Sequence, residues 1–229
     1  MSELSKVVRG RVTLPGDAEF AEASQPWNLA VDQRGVLAVV EAADRDDVAA
    51  LVRYARTAGV PIAPQATGHG ASGSAIGAIL LRTNQLGGVE IDAAARTARV
   101  GAGVKWGEVL AAASPHGLTG LAGSSPVVGV VGFTLGGGLS WFSRKFGLAA
   151  DSVRAFEVVD AEGAFARVTA ESDQELFWAL RGGGGDYAIV TALEFDLHPA
   201  PSLYGGRVLW PVDRAAAVLD VYREVTASA

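Results

Sequence analysis

No cysteine occurs among the 229 residues, which excludes a disulfide framework, a thiolate metal site and a cysteine nucleophile. Charge is sparse as well: charged residues make up 19%, with 25 acidic against 19 basic side chains and a net charge of −6. That balance offers no broad cationic face for nucleic acid. A small phosphate-bearing ligand stays open, because backbone amides bind phosphate without lysines. Long apolar runs are missing. The longest, Val127 to Leu139, is interrupted by glycine and is too short to span a bilayer. The start, Met1-Ser-Glu-Leu-Ser-Lys6, lacks the apolar core of a signal peptide. A soluble, cytoplasmic protein with neither a membrane nor a nucleic-acid partner is expected. Histidines number three, with no His-Glu-x-x-His pattern and no second histidine at helical spacing from His69, so no metal site is expected. Gly-x-Ser-x-Gly is absent, which weakens a hydrolase triad.

What the chain does have is apolar residues and glycine. Hydrophobic residues reach 49% and mean hydropathy is +0.26, the composition of a folded core rather than of a disordered chain. The length exceeds the ~100–150 residues of a common domain but is short for two, so one domain with part of a second is expected. Glycine is the unusual component: 29 residues, nearly twice the average of about 7%. The glycines cluster at Gly68 to Gly77, Gly120 to Gly138 and Gly182 to Gly185. Each cluster joins apolar segments and so predicts tight loops inside a packed fold.

Periodicity places elements around these loops. Val36 to Val40 and Val60 to Ala63 read as buried strands on either side of a helix that starts at Asp44-Arg-Asp-Asp-Val48 and is stopped by Gly59 and Pro61. Ala78 to Leu81, Glu90 to Asp92 and Thr97 to Val100 read as strands, and Trp106 to Ala113 as a helix. Phe156 to Val159 and Phe165 to Val168 flank a hairpin turn at Asp160-Ala-Glu-Gly163. Ser172-Asp-Gln-Glu175 has the pattern of a capping box opening a helix to Leu180, and a strand follows from Ile189. After Pro199 and Pro201 come one strand, Arg207 to Trp210, and one helix from Asp213 to about Thr226. Two such elements cannot bury each other's apolar faces, so residues 201–229 are expected to begin a second domain.

Gly68-His-Gly-Ala-Ser-Gly73 matches G-x-G-x-x-G. A dinucleotide-binding turn of that type needs a helix next, whereas Ala75-Ile-Gly-Ala-Ile-Leu-Leu81 reads as strand. The alternatives are a plain turn and a backbone-amide nest for phosphate with His69 at its centre. His116 and His198 stand beside prolines and read as solvated or structural.

Taken together, the three clusters resemble the FAD-linked oxidases of the vanillyl-alcohol-oxidase and berberine-bridge-enzyme type. Pro64-Gln-Ala-Thr-Gly-His-Gly70 is similar to that family's glycine–histidine loop around the FAD pyrophosphate. Gly120-Leu-Ala-Gly-Ser-Ser-Pro-Val-Val-Gly-Val-Val-Gly132, running on to Thr134-Leu-Gly-Gly-Gly138, resembles its second flavin loop and is followed by Phe146-Gly-Leu-Ala-Ala-Asp151. Asp173 to Glu194, with Leu176-Phe-Trp-Ala-Leu-Arg-Gly-Gly-Gly-Gly185 within it, resembles the third. The likeness runs from about Trp27 to Leu197.

The resemblance implies an α+β fold: a PCMH-type FAD-binding domain of two small α/β subdomains over residues 1–200, with the beginning of a truncated α+β substrate domain over 201–229. It implies an FAD-dependent oxidoreductase, or its FAD-binding portion, that passes hydride from an alcohol, sugar or amine C–H of a small-molecule substrate to flavin, with oxygen or another acceptor reoxidising it. The alternative is a non-catalytic flavin-binding module that needs a partner segment, supplied by an oligomer or a missing C-terminal stretch. By position, His69 matches the histidine that bonds covalently to the flavin ring methyl. Gln65, Ala66, Thr67, Gly68, His69, Gly70, Gly123, Ser124, Ser125, Gly129, Gly132 and Ile189 match cofactor-lining positions. Doubly linked members carry cysteine where Ser125 stands, and Asp186-Tyr-Ala188 replaces the usual Asn-Phe-Gly. No catalytic base is assigned.

Overall fold

Two sheets divide the chain in the computed structural model, which describes residues 3–200, 202, 203 and 205–228. The first sheet is built from β1 (Arg11–Thr13), β2 (Ala38–Glu41), β3 (Ile62–Gln65) and β4 (Ile79–Arg82) in the order β1-β2-β4-β3, with helices α1 (Phe20–Ser24) and α2 (Arg45–Ala58) along its connections. β2, β4 and β3 run parallel, and β1 closes one edge antiparallel. A parallel strand covered on both faces reads as a continuous apolar run, which is why Ala38-Val-Val40 and Ile79-Leu-Leu81 show no alternation. Ala38, Val40, Ile79 and Leu81 join Val48, Leu51 and Val52 of α2 in the main core. Val39 and Leu80 face the other way, into a small cluster with Phe20, Val36 and Ala75.

Local chemistry fixes the ends of α2. The Asp44 carboxylate accepts the amides of Asp46 (3.0 Å) and Asp47 (3.2 Å) at the N-terminus. Gly59 ends the helix in the left-handed region at φ +65°. The helix also ties the two sheets together, since Arg53 and Arg56 donate to the carbonyls of Gly163 (2.8 Å) and Ala161 (3.1 Å) in a hairpin of the second sheet.

That second sheet is antiparallel, with strands β5 (Val89–Asp92), β6 (Thr97–Gly101), β8 (Val153–Val159), β9 (Phe165–Val168) and β10 (Ile189–Asp196) in the order β5-β6-β10-β8-β9. A two-residue pair, β7 (Leu118–Thr119) with β11 (His198–Pro199), lies apart from it. Between the strands stand α3 (Trp106–Ala113), α4 (Val130–Leu135), α5 (Ser143–Phe146) and α6 (Gln174–Leu180). Val100, Leu193, Phe156 and Phe195 turn inward and join the core of the first sheet. Trp106 is buried between Phe133 and Phe195 in edge-to-face contacts at 5.7 Å each. Outward, Arg99 clamps Glu157 (2.7 and 2.9 Å) and Arg167 clamps Glu194 (3.1 and 2.6 Å) across strands.

Three local readings are corrected. The cap of α6 is Asp173, whose side chain accepts the Leu176 amide at 3.0 Å; Ser172 instead donates to the Arg167 carbonyl at 3.1 Å. The Val127 to Leu139 run, read only as loop, contains α4. No strand forms at Arg207 to Trp210, because a strand needs a hydrogen-bonding neighbour and none lies alongside among the described residues. The helix after it forms as α7 (Ala215–Ala227) and buries none of its residues. Pro201, where the boundary was read, and Ala229 lie outside the described residues. Among those residues no helix is long and apolar enough to cross a membrane.

Candidate functional site: a glycine-walled trough

β3 delivers the chain at Gln65 to a loop that leaves the sheet and cannot form a helix. At Gly68 the backbone takes φ +74°, and a β-carbon there would stand 2.8 Å from the Pro26 side chain. Only glycine combines that conformation with that contact. Beyond Gly68 the chain turns and runs irregularly to Gly77, so the G-x-G-x-x-G match is not followed by the helix of a dinucleotide-binding turn.

The amides of Thr67, Gly68, His69 and Gly70 donate to no acceptor among the described residues. They lie along an open trough of about 820 Å³, within the size range of cofactor and ligand sites. α4 and its flanks supply a second wall, with Gly129, Gly132, Phe133, Leu135 and Gly136. Gly184, Gly185, Asp186, Ala188 and Val190 supply a third. A β-carbon placed on Gly70 or Gly132 would meet nothing within 4 Å. These glycines therefore open space for something that approaches the backbone closely, rather than relieving internal crowding.

His69 is the chemical focus. Its Nδ1 lies 2.7 Å from the Thr67 hydroxyl, and its Nε2 is buried without a partner. The Trp27 indole stacks on the ring at a centroid distance of 4.2 Å and an interplanar angle of 15°. Burial, helped by the charge of Lys105, holds the imidazole below its ordinary pKa of 6.5, so the ring is neutral near pH 7. The other two histidines stand outside the trough lining. His198 stacks on Phe146 at 4.2 Å and meets the Ser152 hydroxyl at 3.0 Å, and His116 is exposed.

Gln65, Ala66, Thr67, Gly68, His69, Gly70, Gly129 and Gly132 thus come together around one trough, though two of them lie some sixty residues down the chain. Gly123, Ser124, Ser125 and Ile189 stand outside its lining. A β-carbon on Gly123 would come within 3.0 Å of the Phe133 ring, and Ser124 is exposed. Ile189 lies between two lining residues, Ala188 and Val190, and strand alternation turns its side chain to the opposite face. The third wall was legible as the third loop of the family resemblance, although Gly184, Gly185, Asp186, Ala188 and Val190, which line the trough, were not among the candidate positions. Trp27 carried no motif at all.

The trough fits an FAD on observations of this chain: four undirected loop amides beside glycines open to the cavity, and a histidine with an orphaned ring nitrogen in the wall. Comparison with known proteins points the same way. Residues 36–169 match the family model described as an FAD binding domain. The chain is similar to (R)-6-hydroxynicotine oxidase of Paenarthrobacter nicotinovorans, with 33% identity over 206 residues, covering 89% of this chain and 45% of the oxidase. Its fold is similar to that of BBE-like 1 of Physcomitrella patens (TM-score 0.79, 32% identity, 86% of this chain and 44% of that one). A third likeness is to the glucooligosaccharide oxidase of Acremonium strictum, described with a 6-S-cysteinyl, 8α-N1-histidyl FAD (TM-score 0.79, 28% identity, 88% and 43%). The chain spans about half the length, or less, of the curated relatives it matches.

Proposed function

This chain belongs to the family of FAD-linked oxidoreductases built on the FAD-binding domain, and we propose that it holds FAD along the trough with His69 joined to the flavin ring methyl. The observation that carries this is the convergence of the Thr67–Gly70 amides, which have no acceptor, with a neutral and half-buried histidine in the same wall. The loop amides would take the pyrophosphate, where backbone N–H groups suit an anion. Gly129 and Gly132 would let the cofactor lie close to the backbone opposite. When bound, FAD supplies the hydride acceptor for a substrate C–H. The protein contributes position and exclusion of water.

The reaction proposed for the complete protein is oxidation of a small alcohol, sugar or amine, with oxygen or another acceptor taking the electrons from the flavin. Support comes from the relatives, one acting on a hydroxynicotine and another on glucooligosaccharides by their names. The titratable groups lining the trough are His69 and Asp186 alone among the described residues. Attachment would occupy His69, and Asp186 stands where the resemblance places cofactor contact, so neither is assigned as a general base. The proposal therefore assigns the substrate-side groups to sequence outside this chain, and residues 201–229 to the start of the domain that would carry them. The same observation favours a second reading, a flavin-binding module that has no turnover by itself.

The test begins with the visible spectrum of the purified protein after incubation with FAD, followed by acid precipitation. Yellow colour in the precipitate, lost in His69→Ala, is the expected result, and flavin mass should lie on the His69 peptide alone. The cysteinyl link of the Acremonium enzyme has no counterpart in a chain without cysteine. Colour wholly in the acid supernatant of the wild type would refute the covalent link. Absence of any flavin signal would refute the function.

A further inference from the structure

Trp27 is 61% exposed, so burial of apolar area does not account for its position over His69. Several contacts put it there. The Trp27 amide donates to the Thr67 carbonyl at 3.0 Å. The preceding Pro26 is buried against Gly68. Behind them the largely buried guanidinium of Arg82, at the end of β4, donates to the carbonyls of Ala23 (3.1 and 3.0 Å) and Gln25 (2.7 Å), and reaches Gln65 at 3.4 Å. One cation therefore pins both the segment that carries Trp27 and the strand end that carries the histidine loop. The indole covers one face of the imidazole, and the Thr67 hydroxyl holds its Nδ1 edge.

From this geometry we infer that Trp27 is a positioning residue for His69, which with Thr67 holds the imidazole in one plane at the trough wall and so sets the rate at which it takes up flavin. The inference rests on the reading that His69 is the attachment point. Attachment forms one bond between an imidazole nitrogen and the carbon of the flavin ring methyl. One methyl C–H and the imidazole N–H break. The two electrons released stay on the flavin, with the protons, until dioxygen removes both as hydrogen peroxide. None of this needs another catalytic group from Trp27 or Thr67. It needs the ring held still and facing the methyl, and a displacement near 1 Å can cost up to about 100-fold in rate.

Two measurements on the full chain test the inference. In the first, apoprotein is mixed with FAD and acid-stable flavin is followed over time, with reversible FAD binding measured separately. Trp27→Ala should slow attachment by about tenfold or more while binding FAD nearly as well as wild type. Trp27→Phe, which keeps a flat ring, should restore most of the rate. Thr67→Val should be slow, and Thr67→Ser, which keeps the hydroxyl, should recover most of the lost rate. In the second, tryptophan emission is titrated with acid in the absence of flavin. The wild type should show a quenching step with a midpoint below 6.5 as the stacked imidazole protonates, and both Trp27→Phe and His69→Asn should lose it. A wild-type attachment rate in Trp27→Ala, with normal attachment in the wild type, would overturn the inference alone. Persistence of the emission step in Trp27→Phe would overturn the stack itself. If the wild type takes up flavin only reversibly, the attachment reading falls and the claim on its rate falls with it.

Discussion

A single residue can show how much of this fold hangs on polar detail. Asp47, in the first turn of α2, is 2% exposed, yet its carboxylate accepts three backbone amides: Arg9 (2.9 Å), Gly10 (2.8 Å) and Ala43 (2.9 Å). Burial pushes its pKa up, but those amides and the nearby Arg9 outweigh it and the net shift is downward. Asp47→Asn keeps the shape and loses one acceptor oxygen, which leaves buried N–H groups unpaired. A loss of about 1–3 kcal/mol follows, read as a melting point lower by roughly 2–4 °C for each kcal/mol in a chain of this size. An unchanged melting point would show that the N-terminal segment does not depend on this contact. His69 is the corresponding residue for function, since everything proposed for the trough passes through one ring whose two nitrogens are held or buried.

The elements divide into those legible from sequence and those that were not, for physical reasons. α2 and α3 were legible because their signals are local: Asp44 and Gly59 at the ends of one, and Trp106 to Ala113 ended by Pro115 and Gly117 in the other. α4 was hidden because its six residues include Gly132 and Thr134, poor helix formers, and too few positions for a period to show. β1 was hidden because three residues on a sheet edge carry no pattern. The glycine loops were legible as sites for chemistry, since backbone approach demands glycine locally. Their meeting at one trough was legible only through the family resemblance, because it depends on how two sheets pack. The outer face of the second sheet adds a pH dependence. The hydrogen bonds from Arg99 hold the Glu157 carboxyl below its ordinary 4.5, against a smaller opposing effect of burial. A carboxyl with a depressed folded pKa stabilises fully above the unfolded value and loses that contribution as the pH falls through the folded one. Glu157→Gln should therefore melt lower than wild type at neutral pH, with the difference closing as the pH drops below about 4.5. A gap that stayed constant down to acid pH would contradict the Arg99 pairing.

At the scale of the whole molecule, the trough and the core belong to residues up to β11, while α7 presents Leu219, Tyr222 and Val225 at 59–63% exposure. With neither titratable group of the trough, His69 or Asp186, assigned as a base, the isolated chain should turn over alcohols, sugars and amines slowly or not at all. Oxygen consumption is the check, and robust turnover would place the active chemistry within these residues. The central claim, that FAD lies in the trough, is tested most directly by filling the trough without disturbing the fold. Gly132 allows this, because a β-carbon there meets nothing within 4 Å and its backbone is helical. FAD binding by Gly132→Leu should be measured by flavin fluorescence beside its circular dichroism and melting point. The account predicts a wild-type fold with FAD binding reduced by at least about tenfold, as expected when a ligand loses about 1.4 kcal/mol or more of its contacts. A folded Gly132→Leu protein that binds FAD as tightly as the wild type would contradict it.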